Sequence, residues 1–267
     1  APTGHTLRLI TSLEQRYAEF DGLNLTWETL EGIAKHNGPL VGNVPRAIAE
    51  YNERHDLELH TFASLEAQVA SLSDDIAYNN HDIDDGLRAG LFSVADLDEV
   101  PPIAAVFYEV KKRYPAIAEP RLVHEAIRRI INRMVTDLIT TSQYNIAASG
   151  VKTVEDVRAL GRPLIAFSDA MVEQNTQLKK FLMTRMYRHY KVNRMASKAE
   201  RVVQELFRFF LAEPECLPTS WRALTDAPNT QKTAQVAADF IAGMTDRFAL
   251  DEHSRIFDVH ARSWLGK

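Results

Sequence analysis

The sequence predicts an all-α protein, a multi-helix bundle. Apolar residues recur at helical spacing along nearly the whole chain, and no stretch alternates convincingly as a strand. Eleven glycines and eleven prolines in 267 residues leave room for long, uninterrupted elements. A hydrophobic fraction of 45% and a charged fraction of 25% are ordinary for a soluble globular chain. The length admits one large domain or two small ones. With no internal repeat and no low-complexity linker, a single all-α domain over residues 1–267 is expected.

The elements follow in order. Leu7, Leu9, Ile10, Leu13 and Tyr17 fall on one helical face, and "FDGLNLT" breaks that pattern. Thr26 is placed to cap "WETLEGIAKH". "NGPLVGNVP" reads as a loop, and Pro45 suits the first turn of "RAIAEYNERH". Ser64 caps a long helix over residues 65–90. Pro101 and Pro102 open the next helix and Pro115 ends it; Pro120 opens a long one that Gly150 stops. "TVED" at 153–156 has the form of a capping box with Asp in place of Glu. Helices are expected after Ser168 and over residues 195–212. Two more close the chain, one of them carrying Val236, Phe240, Met244 and Phe248 on one face.

Charge and cysteine content narrow the function classes. The net charge of −5 gives no general reason to expect nucleic-acid binding. The single cysteine, Cys216, excludes an intrachain disulfide and fits a reducing compartment. No apolar run is long enough to span a bilayer and no signal-peptide pattern is visible, so a cytoplasmic location without membrane partners is expected. The opening "APTGHTLRLITSLEQRY" runs almost directly into an amphipathic pattern, as expected of a fragment.

The chemistry concentrates in "SDDIAYNNHDIDDG", residues 73–86, with five aspartates in fourteen positions. On a helix, Leu65, Val69, Leu72, Ile76, Ile83 and Leu87 supply an apolar surface. Asp74, Tyr78 and Asp82 stack along one line at i, i+4 and i+8, with His81 and Asp85 beside it. Asp74 and Asp82 then lie about 12 Å apart by helical rise, too far to share one ion. The spacing suits separate roles: a carboxylate for a metal, a tyrosine for stacking or hydrogen bonding, and a second carboxylate for ligand hydroxyls. A solvated helix face explains the spacing equally well and is the commoner arrangement. Against it, Asp and Asn are mediocre helix formers, and so many of them mid-helix cost stability.

The segment "SLEAQVASLSDDIAYNNHDIDDGLRAGL" closely resembles the bacterial deoxyguanosinetriphosphate triphosphohydrolase-like proteins of the HD-domain superfamily. "EFDGLNLTWETLEGIAKHNGPL", "FLMTRMYRHYKVNRM" and "DFIAGMTDRFALDEHSRIF" resemble further segments of that family, so the likeness runs over essentially the whole chain. It implies an HD-domain-like helical bundle that cleaves a dGTP-like dNTP to deoxynucleoside and tripolyphosphate, using a divalent metal such as Mg, Mn, Ni, Co or Fe. It implies that Asp74 is the distant aspartate of the metal site, that Tyr78 packs on the deoxyribose, and that Asp82 accepts its 3′-hydroxyl. It further implies Tyr187 in the nucleotide pocket and Lys35 near the phosphates, together with homo-oligomerisation. The family's first histidine, its His-Asp pair and its catalytic histidines belong before residue 5 and have no counterpart here, so the catalytic acid or base is unknown. His5 matches nothing around it, and the dyads His55-Asp56 and His81-Asp82 occupy the wrong places. The chain alone is therefore expected to leave the metal site incomplete.

Residues 179–201 reverse the local charge, with Lys179, Lys180, Arg185, Arg188, Lys191, Arg194, Lys198 and Arg201 against Glu200 alone. Such a run faces an anion, a triphosphate, an effector nucleotide or single-stranded DNA, with Tyr187 and Tyr190 available for stacking, or it is a solvated basic face. Arg121, Arg128, Arg129 and Arg133 are interleaved with Leu122, Ile127, Ile130, Ile131 and Met134 and read as structural. Trp27, Trp221 and Trp264 read as core or interface, and Cys216 has no partner at metal spacing. Beside the hydrolase stands a second function: a non-catalytic helical module that binds nucleotide or single-stranded nucleic acid.

Overall fold

The structure is a computed structural model that describes residues 2–258. The described residues are helical; their one extended pairing is an isolated bridge between Gln15 and Gly22. The all-α expectation holds. Where one domain was expected, the chain packs as two compact units that divide between Met186 and Tyr187. The first unit closes two apolar clusters and the second unit one.

In the first unit α1 (Pro2–Arg8) runs into a π-helical turn at Leu9–Leu13. The helical face predicted to reach Tyr17 stops there: Tyr17 is exposed and stacks on Phe20 at 4.7 Å between ring centroids. α2 (Trp27–Ala34) and α3 (Arg46–Asn52) follow, and Leu7, Leu30, Ala34, Ile48, Leu57 and Leu59 close a small core among them. The oxygen of Thr26 caps α2, as expected. His55 and Asp56 lie exposed in the turn after α3, where the Asp56 carboxylate accepts from the Glu58 amide at 2.8 Å.

The larger core belongs to α4 (Leu65–Arg88), α5 (Pro101–Arg113), α6 (Glu119–Ser149) and α8 (Asp169–Leu182). Ser64 caps α4 and Ser168 caps α8 through their side-chain oxygens. α6 ends on Gly150 at φ 72°, a left-handed conformation that costs glycine little. α7 (Val154–Ala159) begins with the full reciprocal capping box of Thr153 and Asp156. α2 lies close on α4, since a Cβ at Gly32 would sit 3.0 Å from that of Ala67. At the far end of α4 a Cβ on Gly86 would meet the Phe92 ring at 2.1 Å, so the chain crosses where only glycine fits.

The second unit holds α9 (Tyr190–Ala212), α10 (Thr219–Arg222), α11 (Gln231–Ala242) and α12 (Asp246–Phe257). Its core is Val202, Leu206, Phe210, Leu217, Val236, Ala237 and Phe240, with Trp221 packed against it. α9 begins earlier than residue 195. The face predicted to join Val236 to Phe248 is split, because Thr245 caps a new helix and leaves Phe248 half-exposed on it. Trp264 lies outside the described residues.

Candidate nucleotide and metal site

α4 has two contrasting faces. Ile76, Asn79, Asn80, Ile83 and Gly86 are buried, and Asn80 Nδ2 donates to the Ile76 carbonyl oxygen at 2.8 Å on the side facing Met134 of α6. This anchoring turns Asp74 and Tyr78 outward: the Asp74 side chain is half exposed and Tyr78 is 63% exposed. Asp82 continues their line and is partly buried, while His81 and Asp85 are exposed. The predicted Asp74–Tyr78–Asp82 line is therefore real geometry on one helix face.

Neighbouring charges divide the aspartates. Asp75 accepts from Lys179 of α8 at 3.2 Å, and Asp84 accepts from Arg88 at 2.8 Å, so both brace the fold. Asp74 instead faces His36, whose Nε2 lies 3.7 Å from Asp74 Oδ2. The sequence reading missed His36, although it stands next to Lys35 in "AKHN"; only the packing of α2 on α4 reveals the pair. His36 also lines a groove of about 630 Å³ with Glu28, Glu66, Ala67, Glu155 and Arg158, between α2, α4 and α7.

Lys35 lies beneath this groove, not at a surface where phosphate would sit. Its side chain has no exposure, and Nζ donates to Glu31 Oε1 at 3.0 Å and to Thr61 Oγ1 at 2.7 Å. Arg158 completes the cluster by binding both oxygens of Glu31, at 3.0 and 3.2 Å, with its guanidinium 4.7 Å from the Trp27 ring centroid. Burial pushes the Lys35 ammonium below its usual value, against the pull of the Glu31 bond. A lysine whose donors are used in this way is a structural cation. Gln68 is likewise structural: its oxygen accepts from the Leu164 and Ile165 amides.

Tyr187 closes the π-helical turn Met183–Tyr187, 43% exposed, at the start of the second unit. In that unit Tyr190 is exposed with Arg194 5.2 Å from its ring centroid, and Lys191, Arg194, Lys198 and Arg201 fall at helical spacing on exposed positions of α9. Of the eight basic residues in the run, Lys179 and Arg185 are engaged inside the first unit, by Asp75 and Glu99.

A divalent metal needs more than this arrangement offers. Among the described residues no three His, Cys, Asp or Glu side chains are grouped to hold an ion; Asp74 has His36 alone at 3.7 Å. Two donors at that separation do not form a closed coordination shell. The residues described here do not by themselves fit the metal that the resemblance implies.

Comparison with known proteins decides the family. The chain is 55% identical over 261 residues to a deoxyguanosinetriphosphate triphosphohydrolase-like protein of Parvibaculum lavamentivorans, covering 96% of this chain and 66% of that protein. Proteins of the same description from Cereibacter sphaeroides and Caulobacter vibrioides are 51% and 50% identical, covering 94% and 95% of this chain and 66% of each relative. The chain belongs to the deoxyguanosinetriphosphate triphosphohydrolase-like family. It spans about two thirds of the length of these relatives. A family model described as a phosphohydrolase-associated domain matches residues 165–255, from the segment before α8 into α12. This all-α family member has no described helix long and apolar enough to cross a membrane.

Proposed function

We propose that the chain carries the nucleoside-recognising part of a metal-dependent dNTP triphosphohydrolase, releasing deoxynucleoside and tripolyphosphate from a dGTP-like substrate. The observation that supports this reading is the outward line of Asp74, Tyr78 and Asp82 on α4, whose opposite face is locked into the core. In this reading Asp74 is one ligand of a divalent ion, Tyr78 covers the deoxyribose, and Asp82 accepts the 3′-hydroxyl. A carboxylate that pairs a substrate hydroxyl rejects an analogue lacking it, because the buried acceptor is left unpaired. His36 stands beside Asp74, with Nε2 3.7 Å from its carboxylate. Tyr187 is a nucleotide-contacting residue by resemblance, and Lys35 acts through its bond to Glu31 instead of touching phosphate. A cytoplasmic homo-oligomer is the assembly proposed.

The test is tripolyphosphate release from dGTP by the protein extended to the length of its relatives. Asp74→Asn keeps the side-chain shape and removes the charge that a hard or borderline cation requires. Loss of turnover and of bound metal, with helix content intact, is expected. Retained turnover and retained metal would remove Asp74 from the metal site.

A second reading is favoured by the basic face of α9: a module that binds nucleotide or single-stranded nucleic acid without hydrolysis. It expects tight, salt-sensitive oligonucleotide binding with no tripolyphosphate release by the extended protein. Hydrolysis of dGTP by that protein contradicts it.

A further inference from the structure

A groove of about 1070 Å³ lies at the elbow where α5 turns into α6, lined among others by Arg113, Tyr114, Ile117, Arg121, His124 and Arg128. Arg88, at the end of α4, brings a fourth guanidinium to its rim, with Nη2 3.1 Å from His124 Nε2. In a chain of net charge −5, this concentration of arginines on one short elbow stands out. The carboxylate beside it is already engaged: Glu125 binds both Arg128 and Arg129, and its carboxyl is held below the usual range, chiefly by the Arg129 hydrogen bond. Arg88 likewise has Asp84. Arg113 and Arg121 have no carboxylate partner among the described residues.

Helix electrostatics makes Arg121 the informative member. Arg113, in the last turn of α5, is favoured there by the helix dipole. Arg121 sits in the first turn of α6, where a cation is disfavoured. The cap residue is Ala118, which offers no side-chain oxygen, and no side chain caps the turn, so Glu119 is the one acidic side chain of that turn. An anion in the groove would relieve both the helix terminus and the unpaired guanidinium. Tyr114, 42% exposed with the Arg113 guanidinium 5.5 Å from its ring centroid, adds an aromatic wall, and Ile117 an apolar one. Planar guanidinium forks suit phosphate oxygens better than point-charge ammonium groups do.

We propose that this elbow binds an oligophosphate group, either free or as the tail of a nucleotide. The site is independent of the acidic line: Arg88 lies fourteen residues beyond Asp74, about 21 Å along the helix axis. The test is calorimetric titration of this chain, without added metal, by inorganic tripolyphosphate and separately by adenosine triphosphate. Both probes are expected to bind, and the nucleotide binds more tightly if its base uses the Tyr114 wall; equal affinities assign recognition to the phosphates alone. Arg113→Ser with Arg121→Ser should weaken tripolyphosphate at least about tenfold, whereas Arg46→Ser, an exposed arginine that does not line the groove, should leave it unchanged. Both groove arginines are exposed, so unchanged helix content by circular dichroism accompanies the loss. Wild-type chain that binds neither probe, a double variant that binds as the wild type does, or an equal loss in Arg46→Ser each overturns the proposal. The last outcome would assign the binding to general charge attraction and leave the proposed hydrolase standing.

Discussion

Two charged clusters in the first unit sit side by side and are built in opposite ways. In one, Glu31, Lys35 and Arg158 are sunk into the protein, with Glu31 bonded to both cations. On the outer face of α4, Asp74 and Tyr78 stand in the open, and among the described residues Asp74 has one ion-pair neighbour, His36 at 3.7 Å. Buried charges must be paired because desolvation is expensive, so the first cluster is committed to the fold. Exposed charges on a rigid helix cost the fold little and are free to meet a ligand. The difference separates residues that the family resemblance had grouped together: Lys35 falls with the fold, and Asp74 stays on the solvent-facing side of α4.

The largest effect should come from breaking the buried cluster. Glu31→Ala leaves Lys35 and Arg158 without their common partner, and a loss of about 3–5 kcal/mol is expected from denaturant unfolding. A loss below about 1 kcal/mol would show that the network is no tighter than a surface pair. Next comes the buried face of α4. Gly86→Ala drives a methyl into Phe92, which is held edge-on to Phe181 at 5.0 Å, and about 1–3 kcal/mol should be lost. Wild-type stability there would mean that the Phe92 ring shifts freely.

A smaller effect concerns α7, which carries Arg158 to Glu31. The Asp156 carboxyl is held below its usual range by the amide of Lys152 first and that of Thr153 second. Because its folded pKa is depressed, its contribution is present above the unfolded value of about 3.9 and is lost as pH falls through the folded value. Asp156→Asn should therefore lower the melting temperature near neutral pH and converge with wild type in acid. Parallel curves at all pH would remove the capping carboxylate from the account. The smallest effect is expected on the outer face of α4: Tyr78→Ala should change stability by no more than about 0.5 kcal/mol. A larger loss would return Tyr78 to the packing of the fold.

Much of this was legible beforehand. Caps at Thr26, Ser64, Thr153 and Ser168, and the stop at Gly150, are local signals, and each marks a helix end. The line of Asp74, Tyr78 and Asp82 follows from helical spacing alone. The helix end near Leu13 and the split at Thr245 were not legible, because an apolar period continues across a break that only backbone geometry sets. The partners of Asp74 and Glu31 were hidden for another reason: His36 and Arg158 arrive from other segments, Arg158 from 127 residues beyond Glu31. Glu31 and Lys35 at i, i+4 suggest a pair, but nothing in that spacing tells a buried pair from a solvated one.

The central claim is that the line of Asp74, Tyr78 and Asp82 reads the sugar of a nucleotide. It is tested most directly by kcat/KM for dGTP and for its 3′-deoxy analogue, in wild type and in Asp82→Ala, using protein extended to the length of its relatives. A hydrogen bond to a charged group is worth about 1.5–3 kcal/mol, so the wild-type preference for dGTP should shrink about tenfold or more in the variant. Metal content should be unchanged. An identical preference with and without the Asp82 carboxylate would contradict the account and leave the outer face of α4 as solvated surface.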